Sequence, residues 1–468
     1  MSTFSGLNAA TTALWAQRRA LDVTGQNIAN VNTDGYSRQR ADLQAIGGSP
    51  VPAFYSTSPG IGAGVTADSV IRIRDAFLEG RGHTETANSA KLTVENDAYE
   101  LVEQAFREPG DTGIQSLLSD MWSGWEDVAN NPKDSAARGQ VLQRLETLVG
   151  GLHFSHASLG AQWDQSRENL QVLVDDVNAA AASVAELNES IQLARQSGLP
   201  ANDLADKRDV LAMKLAEQIG GTVRPGDDGV VDVVVGGMTL VAGRTATTFA
   251  LAGTTDPDAT AGDPVRIVTA AGGYTVQAGG TAAGQLSALN TILPSYRAAL
   301  NSVAVDLATG LNAAHAAGYD LDGIAGTNLL VSSGGPLTAA SISVGFTDPR
   351  KIAASSVVPV PGDPALDNGN ADAIAQLRQS ATGTDANYRR MIVELGVQSA
   401  VAQRNLDIQA VITTQVDAAR ESVAGVNLDE EMTNMLSFQH AYSAAGRLVT
   451  AIDETLDVLI NRTGLVGR

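Results

Sequence analysis

The two residues of this chain best placed to bind a metal ion are His153 and His156. Three positions apart, they would share one face of a helix. A protein zinc site uses three or four ligands, however. No carboxylate and no third histidine stands at ligand spacing beside this pair. The sequence therefore predicts that these histidines do not hold a metal.

A second candidate metal site is the segment Asp320-Leu321-Asp322-Gly323, whose alternating aspartates are typical of calcium loops. Counted from Asp320, an EF-hand loop needs glycine at its sixth position and glutamate at its twelfth. Ala325 and Val331 stand at those positions. The segment is therefore predicted to be an ordinary loop.

The remaining chemical candidates are a nucleotide-binding loop and a nucleophile. The run Gly60-Ile61-Gly62-Ala63-Gly64 lacks the G-x-G-x-x-G spacing of a dinucleotide-binding loop. The Thr- and Gly-rich stretch Thr245–Gln277 lacks the Gly-Lys-Ser/Thr ending that a phosphate loop needs. Five histidines are present, none beside a plausible serine and aspartate. Catalytic triads are assembled in space, so an enzyme or ligand-binding protein on a coiled-coil stalk stays as a second interpretation. The first interpretation is a structural protein with no cofactor and no enzymatic activity.

Composition narrows the class of protein further. A chain of 468 residues is long enough for about three domains. Its net charge of -21 argues against a nucleic-acid partner and against an anionic membrane surface. The absence of cysteine excludes disulfides and thiolate zinc sites. Neither a cleavable secretory signal nor an apolar run of about 18 residues, enough to span a bilayer, is expected from the sequence.

The segment from Val426 to Leu459 has the clearest helical pattern of the chain. Asn427 can cap its start, and three acidic residues, Asp429 to Glu431, suit the positive end of the helix dipole. Apolar residues recur at gaps of three and four and predict a narrow seam on one long helix: Leu428, Met432, Met435, Phe438, Tyr442, Ala445, Val449, Ile452, Leu456 and Leu459. Nothing within the segment can cover this seam, so the helix needs a partner.

A matching helix is predicted at the amino terminus, where Leu7, Leu14, Leu21 and Ile28 fall seven residues apart. Such a helix is marginal alone, since only every second seam position is strongly apolar. Arginines outnumber acidic residues in the first forty positions, whereas acidic residues dominate the last forty. The two ends are therefore expected to pair with each other or with copies of themselves. The alternative is that each end is an ordinary bundle helix.

Helices are predicted to dominate the region between about residues 85 and 218. Asn131-Pro132 should break them, and Asp134 or Ser135 should cap the next helix. Gly198-Leu199-Pro200 should end that helix, with Asn202 or Asp203 capping a shorter one. The clearest apolar seam of this region lies on the helix before Gly198 and consists of Leu170, Leu173, Val177, Ala180, Val184, Leu187, Ile191 and Ala194.

The pattern changes to β-structure at Gly221. Valine-rich runs broken by Gly226–Gly229 and by Gly236-Gly237 predict a β-meander with tight turns. A helix should return from Gly284 to about Ala317. A second β-rich piece, from about Leu329 to Val360, is expected to rejoin the first, and the chain should be helical again from Asp367.

One short motif resembles a known family. The string Asn27-Ile28-Ala29-Asn30, followed by Asn32-Thr33, Gly35 and Tyr36, is similar to the amino-terminal motif of flagellar rod, hook and hook-associated proteins. Its extension, Ser37-Arg38-Gln39, resembles the hook-associated members that stand at the hook–filament junction. The motif residues taken as candidate functional residues are Asn27, Ala29, Asn30, Thr33, Gly35, Tyr36, Ser37, Arg38 and Gln39.

Further blocks carry the same resemblance. Asn131-Pro132 with Asp134 and Arg138, and the run Asn202–Asp209, are similar to internal segments of the hook-associated members. The segment Asn312–Gly326 and the run Gly425–Met432, with Gln439 and Tyr442, resemble other family segments. The resemblance is weakest across residues 250–277 and 331–362.

The resemblance implies an α+β multidomain fold in which the chain is nested, and the order of predicted elements agrees. Paired amino- and carboxy-terminal regions would form long helical coiled-coil or bundle domains, and a β-rich domain would be inserted farthest from the ends. The expected division is a terminal helical domain (1–35 with 426–468), a helical rod domain (36–220 with 284–318 and 366–425) and an inserted β-rich domain (221–283 with 319–365).

The function implied by the resemblance is that of a structural adaptor that polymerises between hook and filament, with a hook or distal-rod protein as the alternative. The implied partners are copies of the chain, the hook protein, a second junction protein (hook-associated protein 3) and an export chaperone at the carboxy-terminal helix. The implied location is the extracellular flagellum, reached by flagellar export. The predicted assembly seam comprises Leu7, Leu14, Leu21, Ile28, Leu428, Met432, Met435, Phe438, Tyr442, Val449, Ile452, Leu456 and Leu459.

Overall fold

The two ends of the chain meet in the computed structural model, which describes residues 3–47, 62–359 and 367–462. Gly60 and Ile61 of the glycine-rich run lie outside the described residues, as does the end of the second predicted β piece. Among the described helices, none is long and apolar enough to cross a membrane.

The elements from the two ends form one unit, called here the terminal unit: α1 (Thr3–Ala29), β1 (Gln39–Ile46), β2 (Gly64–Arg72) and α10 (Leu428–Asp457). Helices α1 and α10 run antiparallel, since Asn27 contacts Glu431 and Gly6 lies beside Ile452. As predicted, Asn427 caps α10, accepting the N–H groups of Asp429 and Glu430. The pairing of the two ends is thus confirmed within a single chain.

A hairpin completes the terminal unit. Strands β1 and β2 pair antiparallel and pack along α1. Small residues allow this close approach, because α1 presents alanines to the hairpin. The small core that results contains Ala16, Ala20, Val23, Ala41 and Ala67, with Phe438 of α10 against it.

The rest of the chain, called here the body, is built on long helices. Its helices are α2 (Ala76–Phe106), α3 (Ile114–Asn130), α4 (Ser135–Gln196), α5 (Asn202–Ile219), α6 (Gly280–Ser287), α7 (Leu293–Ala316), α8 (Gly369–Gln376) and α9 (Thr384–Ala424). A π-helical turn, Ala288–Ile292, joins α6 to α7. Helix α9 packs antiparallel along α2, with Gln409 donating to the carbonyl of Glu85.

Helix α4 is the spine of the body. Its 62 residues span about 93 Å at 1.5 Å per residue. Asp134 caps its start, as predicted, by accepting the N–H of Ala136. It ends at Gln196, just before Gly198, which takes a positive φ, and Pro200. The predicted cap of α5 by Asn202 or Asp203 is wrong, because Ala201 is the cap residue and the Asn202 amide is engaged elsewhere.

Within the described residues, the strands of the body form three small antiparallel sheets beside α4. They are β3 (Thr222–Pro225), β4 (Val231–Val235), β5 (Met238–Ala242), β6 (Thr245–Ala246), β7 (Phe249–Ala252), β8 (Arg266–Thr269), β9 (Leu330–Ser332) and β10 (Ile342–Val344). Strands β3 to β6 form the predicted meander, turning at Gly236 and Gly237, both with positive φ. Strands β7 and β8 form one two-stranded sheet and β9 and β10 another.

The expectation that the second β piece rejoins the first is wrong. Asn188 of α4 binds Val231 of the meander, whereas His153, thirty-five residues earlier on α4, binds Ile342 of β10. At 1.5 Å per residue these two contacts lie about 50 Å apart. The meander also lies next to the terminal unit instead of farthest from it, since Arg208 at that end donates to the carbonyl of Gly229. Each β piece lies beside a different part of α4: the meander is near Asn188, and the second piece is near His153.

Helices and strands of the body share one apolar core. Val233 and Leu240 of the meander belong to the same buried cluster as Val177 of α4 and Leu215 of α5. The fold is thus α+β, mainly helical, with inserted β pieces. The predicted boundaries of the terminal and helical rod domains stay a prediction.

Asparagine side chains attach strands to helices in a repeated way. Each of five asparagines on helices or helical turns accepts the N–H of a residue in a strand or, for Val265, directly before one, and donates to that residue's carbonyl. The pairs are Asn27 with Gln39, Asn178 with Phe249, Asn188 with Val231, Asn290 with Val265, and Asn312 with Leu330.

Candidate functional site

The residues considered first for metal chemistry have structural roles. His153 donates from Nε2 to the carbonyl of Ile342 at 2.8 Å, tying α4 to β10. Burial and the neighbouring Arg297 lower the pKa of His156. Asp320 accepts the N–H groups of Asp322 and Ile324 within its own turn. Across residues 3–47, 62–359 and 367–462 there is no group of three or more His, Asp or Glu arranged to hold a metal ion.

The motif residues, in contrast, come together where the terminal unit meets the body, a region called here the joint. Asn27 is its centre and is almost fully buried. Its Oδ1 accepts the Gln39 N–H at 2.9 Å and the Tyr36 hydroxyl at 2.8 Å. Its Nδ2 donates to the Gln39 carbonyl at 2.8 Å and to Glu431 at 3.1 Å. One amide thus joins α1, β1 and α10.

The turn that follows α1 carries the next motif residues. Ala29 is exposed near the end of the helix, and Asn30 bonds both the Gln26 carbonyl and Thr33. Gly35 has φ +73 and lies against Val210 of α5. A Cβ at Gly35 would overlap the Cγ2 methyl of Val210. Glycine is needed here for both the backbone conformation and the close approach.

Tyr36, Ser37 and Gln39 face the body. The Ser37 N–H makes a long 3.4 Å contact with Asp206, and Gln39 accepts from the amide of Asn202 at 3.0 Å. Burial, followed by the nearby charges of Asp206, Asp203 and Glu431, raises the pKa of Tyr36 to about 12. The Tyr36 hydroxyl therefore remains a donor to Asn27 throughout the physiological pH range.

Arg38 connects three segments. Its guanidinium binds Glu430 and Glu431 of α10, each at 2.7 Å. Its backbone N–H donates to the carbonyl of Ala424, the last residue of α9, at 2.9 Å. Its backbone carbonyl accepts the N–H of Ile73, which follows β2, at 2.8 Å.

Asp209 of α5 is the second centre of the joint. It binds Arg72 of β2 at 2.7 Å and also binds Arg74 and Arg208. Burial alone would raise the pKa of Asp209, but Arg74, Arg72 and Arg208 outweigh it and hold that pKa below its usual range. Arg72 also binds Asp206 at 2.8 Å.

The charged network continues into the two long helices of the body. Arg74 binds Glu79 of α2 at 2.6 Å, and Arg420 of α9 binds the same carboxylate at 3.0 Å. Burial opposes ionisation of Glu79, yet the hydrogen bonds from Arg74 and Arg420 keep its pKa below the usual value. The joint is therefore a chain of alternating charges.

The predicted assembly seam divides into two parts. On α10, half-buried residues face α1; they are Met435, Phe438, Val449, Ile452 and Leu456. Leu428, Met432, Tyr442 and Leu459 are exposed instead. Leu7, Leu14, Leu21 and Ile28 of α1 are half-buried, whereas the residues of α1 that are fully buried are mostly smaller. The assembly role of the seam stays a prediction.

Sequence reasoning missed a second apolar face on α9. The buried face of that helix includes Tyr388, Met391, Leu395 and Ala402. A stripe on the opposite side is exposed; it consists of Val393, Val397, Val401, Ile408 and Val411. Valines spaced four positions apart indicate this exposed stripe in the sequence. The buried stripe alone was enough to predict the helix, so the second stripe was overlooked.

The joint itself gave no local signal. Arg72 and Asp209 are 137 positions apart, and Arg420 and Glu79 are 341 apart. No periodicity links such residues. The family resemblance marked the segments 27–39, Asn202–Asp209 and Gly425–Met432 separately, without indicating that they contact one another.

Comparison with known families finds flagellar proteins along most of the chain. Residues 99–330 match the helical domain of the flagellar hook-associated protein FlgK family. Residues 7–36 match the flagella basal body rod protein family, and residues 420–462 match the carboxy-terminal family of flagellar basal body rod FlgEFG proteins. The two rod-type matches cover most of α1 and all of α10.

Individual relatives extend over the whole chain. Flagellar hook-associated protein 1 of Bacillus subtilis is 29% identical, with 100% of both chains covered. The protein of the same name from Escherichia coli is 24% identical over 98% of each chain. Among solved structures, the flagellar hook junction protein FlgK from Burkholderia pseudomallei has a TM-score of 0.62 at 17% identity, covering 74% of this chain and 100% of that one. This structural likeness concerns the fold.

Proposed function

This chain belongs to the family of flagellar hook-associated proteins, and we propose that it is a structural subunit polymerising at the hook–filament junction. In that role it attaches the filament to the hook and is needed for motility. Its mechanism is packing between subunits, without catalysis.

The observation that carries this proposal is the apolar surface left exposed on α9 of the body and on α10 and α1 of the terminal unit. On α9, Val393 is 66% exposed and Val397 is 54% exposed. On α10, Met432 is 58% exposed, and on α1, Trp15 is 74% exposed. Contiguous exposed apolar residues mark interaction surfaces. Burying such a stripe contributes about 25 cal/mol per Å² of apolar area, enough to favour assembly.

The charge of the chain bears on how copies associate. A net charge of -21 keeps free subunits apart, since like charges repel. Assembly then requires specific packing of the apolar stripes. We place copies of the chain, the hook protein and hook-associated protein 3 on these surfaces, and an export chaperone on α10 before assembly.

The location follows from this role. The subunit travels through the flagellar export channel and reaches the extracellular end of the hook. In the assembled junction the terminal unit lines the tube and the body lies outside it. A rod or hook protein is the weaker proposal, because the rod-type family matches are confined to the two ends of the chain.

Electron microscopy of flagella from a strain lacking this chain tests the proposal. We expect hooks without filaments, with filament subunits released into the medium. Attached filaments in the deletion strain would contradict the junction role. Absence of the hook itself would favour the rod or hook alternative.

A matched pair of substitutions tests the α9 stripe. Val397→Asp places a charge in a stripe that assembly would bury. Burying even a neutral polar group without a hydrogen-bond partner costs about 2–7 kcal/mol. Val172→Asp introduces the same charge at an exposed valine of α4, outside that stripe. We expect only Val397→Asp cells to lose attached filaments, with both purified monomers melting as the wild type does.

A further inference from the structure

The terminal unit and the body have separate apolar cores. The small core contains only residues of α1, β1 and β2, with Phe438 against it. The large core contains only residues of the body. Within the described residues, no helix or strand of the terminal unit packs extensively on one of the body. Apolar packing therefore does not fix the angle between them.

Polar contacts fix that angle instead. Arg72 and Arg74 reach from the end of β2 to Asp209 on α5, and Asn202 donates to Gln39 and to the carbonyl of Val70. The side chain of Asp209 is only 17% exposed, so its ion pairs are partly sheltered from water. Asp209 receives three arginines and is the residue on which most of these contacts converge.

The backbone of Arg38 lies where both chain crossings occur. The chain passes from β2 to α2 through Ile73 and from α9 to α10 through Gly425. Arg38 accepts from the N–H of Ile73 and donates to the carbonyl of Ala424. Both crossings are therefore held to one residue, while the ion pairs of Asp209 are made by Arg72 and Arg74, on either side of Ile73.

The structure leaves room for movement on both sides. A cleft of about 910 Å³ is lined by the turn at residues 31–37, by α5 and by the end of α9. A second cleft of about 640 Å³ lies on the other side of the turn, against α4 and α5. Gln39 Nε2, Arg74 Nε and Arg420 Nε are buried at the joint without a hydrogen-bond partner among the described residues. The joint is thus neither filled nor fully bonded.

We propose that the joint is an ionic hinge: the terminal unit turns about the backbone of Arg38, and the ion pairs of Asp209 hold the angle seen here. Raising the salt concentration shortens the screening length from about 10 Å at 0.1 M to about 3 Å at 1 M. The side chains of Arg72, Asp209 and Arg74 are 17%, 17% and 21% exposed, so salt weakens these pairs, though less than it would weaken fully exposed ones. The two apolar cores are unaffected, so the terminal unit moves as one piece. A subunit packed between unlike neighbours can then adjust this angle without repacking either core.

Distances between paired spin labels on the isolated full chain test the hinge. The chain has no cysteine, so two introduced cysteines can be labelled alone. One pair, Ser443→Cys with Ala182→Cys, spans the joint from α10 to α4, and both positions are exposed. A control pair, Gln398→Cys with Ala182→Cys, lies within the body. Between about 0.1 M and about 1 M salt, we expect the distance distribution of the first pair to shift and broaden and that of the control pair to stay unchanged.

Two substitutions separate the hinge from general effects of salt. Asp209→Asn should reproduce the high-salt distribution at low salt, because it removes the carboxylate shared by three arginines. Asp322→Asn, which removes the exposed ion pair with Arg350, should not. Circular dichroism checks that both variants remain folded, and the wild-type salt series stands even where a variant does not fold.

Three outcomes would overturn the hinge. They are a spanning distance that ignores salt, one that is already broad at low salt, and an equal change in the control pair. The measurement uses the isolated chain, so its failure leaves the proposed junction function in place.

Discussion

The Arg38 guanidinium and the Glu431 carboxylate lie 2.7 Å apart although the residues are separated by 393 positions. The side chain of Glu431 is 3% exposed and also accepts from Asn27. A carboxylate buried to this degree is stable only while it is paired. This one contact therefore couples the order of the amino terminus to that of the carboxy terminus.

Glu431→Ala should loosen both ends at once. Arg38 keeps its exposed pair with Glu430, but Arg38 Nε and the buried amide of Asn27 each lose an acceptor, at about 1–3 kcal/mol for each group left unsatisfied. We expect faster amide hydrogen exchange in both α1 and α10, with exchange in α4 unchanged. Glu430, the other partner of Arg38, has a side chain that is 57% exposed. Glu430→Ala should therefore cost only about 0–1 kcal/mol. Equal effects of the two substitutions would show that burial of Glu431 is not what matters.

Gly35→Ala should destabilise the joint for two separable reasons. A side chain at φ +73 costs about 1–2 kcal/mol, and the new Cβ also overlaps Val210. Adding Val210→Ala removes the overlap but not the backbone strain. We therefore expect the double variant to recover part of the lost stability in a urea titration, and full recovery or none would contradict this division.

His315 should make the body sensitive to mild acid. The ring is fully buried, donates to the carbonyl of Thr327 and accepts the N–H of Ala353 at 2.9 Å. Burial lowers its pKa, an effect that outweighs the opposing influence of the Thr327 carbonyl and Asp320. Because the folded pKa lies below the unfolded value of about 6.5, the stability that depends on neutral His315 is present above that pH. It is lost as the pH falls through the folded pKa.

Urea midpoints measured against pH check the role of His315. We expect His315→Gln to be less stable than the wild type at pH above about 7 by roughly 1–3 kcal/mol, with a flatter decline below that pH. His83 and His156, whose pKa values are also lowered, remain in both proteins. The difference between the two curves therefore isolates His315. Parallel curves would contradict the assignment.

Asn188→Leu should detach the β-meander from α4. The asparagine is fully buried and binds both the N–H and the carbonyl of Val231, as well as the carbonyl of Gly243. Leucine fills a similar volume but leaves these buried groups unpaired, at about 1–3 kcal/mol for each. Asn169→Leu changes an exposed asparagine of the same helix and serves as the control. A loss of stability no larger than in the control would show that the meander is held by apolar packing alone.

How far the sequence predicts this structure depends on the separation of the residues involved. Asn427 and Asp134 act as caps within three positions, so their roles follow from local residue types. The three-four seam of α10 likewise follows from helical periodicity. Asn202 was expected to cap α5, but its amide binds Gln39 and Val70 across the joint, more than 130 positions away. A long-range partner overrode the local preference.

The candidate site was predictable only in part for the same reason. The motif at residues 27–39 was found by resemblance, whereas its contacts with Glu431 and Asp206 could not be predicted from the sequence. The position of the second β piece depends on which level of α4 it meets, here near His153. Periodicity fixes which face of α4 is buried, but not which segment covers it.

The asparagine pairs described above hold strands by their backbones, and a backbone amide is the same whatever side chain it carries. Asn178 binds the N–H and the carbonyl of Phe249, and Asn290 does the same for Val265, without contact to either side chain being required. Substitutions at the half-buried alanines of β7, Ala250 and Ala252, should therefore leave the strand attached. Foreign peptides displayed on β7 and β8 would be carried by the same anchors, which makes this edge of the body a place where the subunit can acquire new surface properties without losing its fold.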